Sequence, residues 1–282
     1  MNLYFSSQTF FNVSMGIYLI SSLGYLIFAT FRSKILGTIS TSVLTIGLLI
    51  HSGGLISRWV ETHQTGYGYI PLSNMYESLV FFSWTIVLVY LILEFKYKQK
   101  IIGVFVTPFA FLAIALTSLI PGVDSKITPL VPALQSNWLA VHVITCFFGY
   151  ASFAVSFGIS ILYLIQDKRG TQKEGSTRWL PSTSILDEIN YKSIVIGFPM
   201  LTLGIITGAA WANYAWGSYW SWDPKETWSL ITWFVYAAFL HARFTRDWRG
   251  SKAAILSIVG FSAVLFTYFG VNYLISGLHS YL

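Results

Sequence analysis

The chain has 282 residues, 55% of them hydrophobic and 18% aromatic against 10% charged, with a mean hydropathy of +0.63 and a net charge of +6. These proportions exclude an ordinary soluble globular domain and describe a polytopic membrane protein. The single cysteine, Cys146, excludes both a disulfide framework and an intramolecular dithiol.

Apolar runs of about 20 residues predict an all-α transmembrane helix bundle of about eight spans, treated as one integral membrane domain over residues 1–282. The runs are 11–30, 36–57, 75–93, 101–120, 138–165, 193–211, 227–242 and 254–277. The first is not preceded by a basic segment and is followed by Arg32 and Lys34, so it reads as a retained helix with its N-terminus outside rather than as a cleaved signal. In the second, His51 lies in the outer half, where an ionisable side chain is a functional hypothesis by default. A neutral imidazole bonded to a carbonyl or a serine is the commoner state there, and for His63 in the following loop.

At the head of the third span Asn74 precedes Glu77 by three residues, which favours helix capping over catalysis for Glu77. The loop after the fourth span carries Pro121, Pro129 and Pro132 and reads as extended. The fifth span places His142 about four residues inside its outer start, with Cys146 as a small buried residue beyond it. Residues 166–192 read as an inner loop, in which Ser184, three residues before Asp187, predicts a helix start leading into the sixth span.

The segment 211–233, WANYAWGSYWSWDPKETWSLITW, holds six of the eleven tryptophans. Asp223, Pro224 and Glu226 supply an N-cap, an N1 proline and an N3 acid for the seventh helix. Trp211, Trp216, Trp220, Trp222 and Trp228 crowd one connection, whereas an interfacial belt spreads around a protein. On spacing alone, stacking on a planar ligand and an aromatic belt remain equally open. His241 falls deep in the seventh span beside Arg243, where snorkelling toward water also accounts for it. His279 follows the eighth span and returns to the level of His142. Two imidazoles on different helices beside an aromatic loop suit a bis-imidazole iron site better than zinc, which usually takes a third protein ligand.

With the first N-terminus outside, fourteen of the seventeen Lys and Arg residues fall on the inner side, and only Arg58, Lys126 and Lys225 on the outer. That bias places both termini and the tryptophan-rich segment outside. The positive charge therefore reflects topology, and no nucleic-acid partner is expected.

The run WGSYWSWDPKETWSLITW, followed by FVYAAFLHAR, resembles the WWD motif of the haem-handling cytochrome c assembly proteins. The likeness extends through LDEINYKSIVIGFPMLTLGIITGAAWA and GYIPLSNMYESLVFFSW, and so covers most of the chain. Within that superfamily it is most similar to the integral subunit of System II cytochrome c synthases. The resemblance implies a haem lyase component in the bacterial cytoplasmic membrane or the thylakoid membrane, its WWD segment on the periplasmic or lumenal side. It implies haem b as substrate, His142 and His279 as outer iron ligands, and His241 as a membrane-embedded ligand. It further implies Trp216, Trp220, Trp222, Asp223 and Trp228 along the haem plane. The partners it implies are a CcsB-like (ResB-like) membrane subunit, apocytochrome c and thiol-reducing proteins. Haem would enter from the inner side, rest at His241 and move outward, where its vinyl groups meet the thiols of a CxxCH segment. Arg58 and Lys225 are the basic residues placed to neutralise its propionates. The alternative is a haem delivery or export protein of the CcmC or CcmF type, without synthase activity of its own. A protein whose tryptophans form only a belt would bind no haem.

Overall fold

The computed structural model describes residues 6–170 and 180–275. Among these residues the chain is helical without strands, and it divides into two compact units, one ending at Ser136 and one beginning at Asn137. Seven helices among the described residues are long and apolar enough to cross a membrane. The expected span 227–242 lies within a helix as well, Pro224–Arg246, but that helix is not among the seven. Lys225, Glu226, Arg243 and Arg246 mark its ends, and Trp, Ser, Thr and Tyr recur between them, so its mean hydropathy falls below that of its neighbours.

In the first unit α1 (Ser7–Phe31) packs along α2 (Lys34–Gln64), and α3 (Met75–Tyr97) packs along α4 (Gly103–Leu119). Polar clusters tie these helices together at two levels. Glu94 of α3 is buried and accepts from Tyr25 Oη of α1 and Thr41 Oγ1 of α2, both at 2.6 Å, from Tyr90 Oη, and from Lys100 Nζ at 3.1 Å. A carboxylate taken out of water is tolerated only when its oxygens are filled in this way. Near the opposite end of α3, Arg58 of α2 pairs with buried Glu77 at 3.1 Å and donates to the Ser125 and Lys126 carbonyls. The capping expected at Asn74 is present, its side chain accepting from Glu77 N at 2.9 Å. Glu77 also collects Ser73 N and Oγ.

The second unit holds α5 (Asn137–Gly170), α6 (Thr183–Trp216), α7 (Pro224–Arg246) and α8 (Ser251–Leu265). The last continues through a π-helical turn, Phe266–Gly270, into α9 (Val271–Leu274). Long stretches of α5 and α6 lie against each other, and Gly149 is the reason their backbones meet: a Cβ there would lie 3.1 Å from Leu201 N and 3.2 Å from Gly197 O. Small residues are the usual means of such close approach between membrane helices. Ser156 of α5 donates to Asn190 of α6 and stands 2.6 Å from Ser257 Oγ of α8, joining three helices through one buried polar group.

The helix start expected at Ser184 lies two residues earlier. Ser182 is extended at ψ 150 in the manner of an N-cap and accepts from Ile185 N, while Ser184 is already inside the helix. Asp187 is occupied elsewhere, pairing with Arg243 at 2.7 Å and accepting from Gly250 N at 2.9 Å. Helix thus fills much of 166–192, with α5 reaching Gly170 and α6 beginning at Thr183.

Candidate functional site

His142 stands in the second turn of α5, and its Nδ1 lies 2.7 Å from the Gly204 carbonyl of α6. A carbonyl can only accept, so Nδ1 carries the proton and the Nε2 lone pair is left for a ligand. Among the described residues Nε2 has no hydrogen-bond partner. The indole of Trp211 lies nearly parallel to the imidazole at 20°, with centroids 6.0 Å apart, and Trp216 meets Trp211 edge-on at 5.0 Å.

A pocket opens beside this ring. Cys146 and Tyr150 of α5 and Gly208 of α6 line it with His142, and Tyr219, Trp220, Lys225, Glu226 and Ser229 close it from the WWD connection and α7. Lys225 reaches across to Asn272, its Nζ 3.0 Å from Oδ1. Thr267 lines the pocket from the π-helical turn of α8, and Phe266 in the same turn packs on Trp228 at 4.1 Å. Extra residues inserted in this way recur at functional sites because they re-aim side chains.

The WWD connection is held by carboxylates of its own side chains that accept from its backbone N–H groups. Asp223 Oδ1 accepts from Lys225 N at 3.0 Å, and the Glu226 carboxylate accepts from Asp223 N at 3.1 Å and Ser221 N at 2.8 Å, completing the expected capping box. Trp222, just before the cap, has φ 59. A non-glycine residue held in the left-handed region costs about 1–3 kcal/mol and persists only where its surroundings impose it. The result is that Trp222 projects outward, 69% exposed, edge-on to Trp220 at 5.7 Å. Asp223→Ala is expected to cost about 0.5–2 kcal/mol and to release the Trp222 backbone. Thermal unfolding in detergent, together with the accessible fraction of tryptophan fluorescence, checks both effects.

Of the residues named from the sequence, His142 and Trp220 line one pocket. Trp211 and Trp216 back it, and Trp222 flanks it. Asp223 shapes the turn from a buried position rather than lining the pocket, and Trp228 packs on Phe266. His241 is exposed on α7, two residues from Arg243. His279 lies outside the described residues. In the first unit His51 is fully buried, its Nδ1 3.1 Å from Tyr18 Oη and its Nε2 without a partner among the described residues. His63 is exposed, with Nδ1 2.9 Å from the Trp59 carbonyl. His63 thus meets a carbonyl, as expected of a lone histidine, whereas His51 meets a tyrosine hydroxyl in place of the expected carbonyl or serine. Arg58 is committed to Glu77 and two carbonyls, which leaves Lys225 as the basic group at the pocket.

Cys146 is buried as expected, but its place against His142, with Sγ 3.7 Å from Nδ1, was not legible. Nor were the contributions of Tyr150, Thr267 and the Gly204 carbonyl. One signal did point to the last of these: residues 204–208, GIITG, are two glycines four apart in an apolar run, the spacing of a close helix contact. No group of three His, Cys, Asp or Glu side chains able to hold a metal ion occurs among the described residues.

The chain matches the family described as cytochrome C assembly protein over residues 72–279. It is 40% identical to the cytochrome c biogenesis protein CcsA of Pyropia yezoensis, with 100% of this chain and 99% of that protein covered. It is 41% identical to CcsA of Guillardia theta (96% and 94% covered) and 38% identical to CcsA of Gloeobacter violaceus strain ATCC 29082 / PCC 7421 (96% and 94%). Among solved structures, the cytochrome c heme lyase CcmF shares the fold with a TM-score of 0.71 at 17% identity. The match covers 95% of this chain and 47% of the CcmF chain.

Proposed function

The chain belongs to the cytochrome c assembly protein family, and from that premise we propose that it is the haem-handling subunit of a cytochrome c synthase. Its substrate is haem b, presented at the outer face of the membrane to apocytochrome c. The observation that carries this reading is the His142 imidazole, with its Nδ1 proton held by a backbone carbonyl, its Nε2 open and an aromatic pocket beside it.

In this reading His142 and His279 take the iron from opposite faces. Trp220 meets the macrocycle from the pocket wall, with Trp216 behind Trp211 and Trp222 flanking the opening, Asp223 fixes the turn that carries them, Trp228 backs the turn from α7, and Lys225 meets a propionate. His241 serves a second haem position nearer the inner side, completed by an imidazole of a CcsB-like subunit. Both termini lie outside in this reading, which the excess of Lys and Arg on the opposite side supports.

Each thiol of a CxxCH segment then adds across a vinyl group. The sulfur bonds to one vinyl carbon and hydrogen to the other, so the C=C bond becomes a thioether-bearing single bond with no net change of oxidation state. What this reaction asks of the protein is orientation more than acid or base, and the reactive thiols belong to the apocytochrome, kept reduced by thiol-reducing proteins.

The test is the absorption spectrum of the detergent-purified protein co-expressed with its CcsB-like partner, with and without His142→Ala combined with His279→Ala. A low-spin b-type spectrum that the double substitution removes is the expected result. A folded complex that carries no haem in either form, with haem supplied, would return the tryptophans to a structural belt.

A further inference from the structure

We propose that Gly204 and Gly208 are positioning residues for the His142 imidazole, one through its carbonyl and the other through its missing side chain. This rests on the reading of His142 as an iron ligand.

The ring is held from several directions. A Cβ added at Gly208 would lie 2.6 Å from His142 Nδ1 and 2.7 Å from Cε1, well inside van der Waals contact. Trp211 flanks the imidazole at 20° with centroids 6.0 Å apart and Cys146 Sγ stands 3.7 Å from Nδ1, so the ring can yield only toward the pocket and away from the Gly204 carbonyl. Gly208 is therefore the opening that admits the ring, and Gly204, one turn away on the same face of α6, supplies the acceptor that sets its rotation. Any side chain at 208 drives the ring away from that acceptor.

The hydrogen bond also reaches the iron. The Nδ1–H···O=C bond raises the basicity of the nitrogen on the other side of the ring, and a more basic ligand favours ferric over ferrous iron and lowers the midpoint potential. The Gly204 carbonyl is shared: Thr207 Oγ1 lies 3.2 Å from it, although the shorter bond of Thr207 goes to the Leu203 carbonyl at 2.7 Å. The strength of the bond to His142 can thus be altered from both sides, by crowding the ring or by removing its competitor.

The experiment is a redox titration of haem, followed by its visible absorption, in the full-length chain co-expressed with its CcsB-like partner. Four variants are compared: Gly208→Ala, Thr207→Val, Gly197→Ala and His142→Ala. Gly197→Ala is the packing control, because its Cβ would crowd Phe153 Cε1 at 2.7 Å in the same pair of helices without touching His142. The expected result is a raised midpoint potential and a roughly 10- to 100-fold weaker hold on haem in Gly208→Ala. Thr207→Val should lower the potential, and Gly197→Ala should leave it unchanged. A folded Gly208→Ala protein with the wild-type potential, or an equal shift in Gly197→Ala, overturns the proposal. Should Gly208→Ala not fold, Thr207→Val decides alone, a lowered potential sustaining the proposal and any other result overturning it. Failure of the underlying ligand reading shows separately, as an unchanged haem spectrum in His142→Ala.

Discussion

On the proposed ligation of haem iron by His142, a His142→Gly variant is expected to lose the low-spin haem spectrum, to hold haem more than about 100-fold more weakly, and to regain both properties when imidazole is added. The size of the loss follows from the ligand's place in the chain of contacts. Changes to groups that merely orient a ligand cost about 10–100-fold, and removal of the ligand itself must exceed that. Rescue separates ligation from folding: α5 is anchored to α6 and α8 far from His142, through Gly149 and the Ser156–Asn190–Ser257 cluster, so the bundle outlasts the missing ring and the space it leaves admits free imidazole. A spectrum that stays low-spin without added imidazole would mean that another residue holds the iron. Loss of haem that imidazole does not restore would point to disrupted packing instead.

Arg58→Ala is expected to destabilise the first unit by about 3–5 kcal/mol, the usual cost of leaving one member of a buried ion pair without the other. The Arg58 and Glu77 side chains are 5% and 1% exposed, and the guanidinium also donates to the Ser125 and Lys126 carbonyls. Its removal strands the carboxylate and frees the connection after α4. Two measurements check this result: chemical unfolding in detergent, and the rate at which trypsin cuts after Lys126, which should rise. The joint replacement Arg58→Met with Glu77→Leu should recover much of the stability, since neither charge is then left alone. Unchanged unfolding and unchanged proteolysis in Arg58→Ala would show that the pair contributes nothing.

Features set by neighbours along the chain were open to reading before the structure. Asn74 caps α3 and the Asp223–Glu226 box opens α7, because a cap needs only residues three apart and an apolar run behind them. The start of α6 has the same local logic but two candidate serines; Ser182 takes the cap, and Asp187 is paired with Arg243, 56 positions away. In the WWD connection the density of tryptophans was visible, whereas their division was not: Trp220 lines the pocket, Trp222 is turned out by a left-handed backbone, and Trp228 is taken up by Phe266. Nothing in the spacing of these residues distinguishes them, because their directions come from the path of the turn and from a π-helical insertion on another helix.

The sequence by itself determined the helical class, seven of the eight expected membrane-spanning segments and the family, because hydropathy, capping and motif are written in consecutive residues. Only the tertiary structure decided what His142 is able to do. Its proton goes to Gly204, its ring fits over Gly208 and its plane rests on Trp211, all contributed by a helix more than 60 residues further on. An imidazole's free lone pair is set by what its other nitrogen touches, and that contact exists only once α5 and α6 have packed.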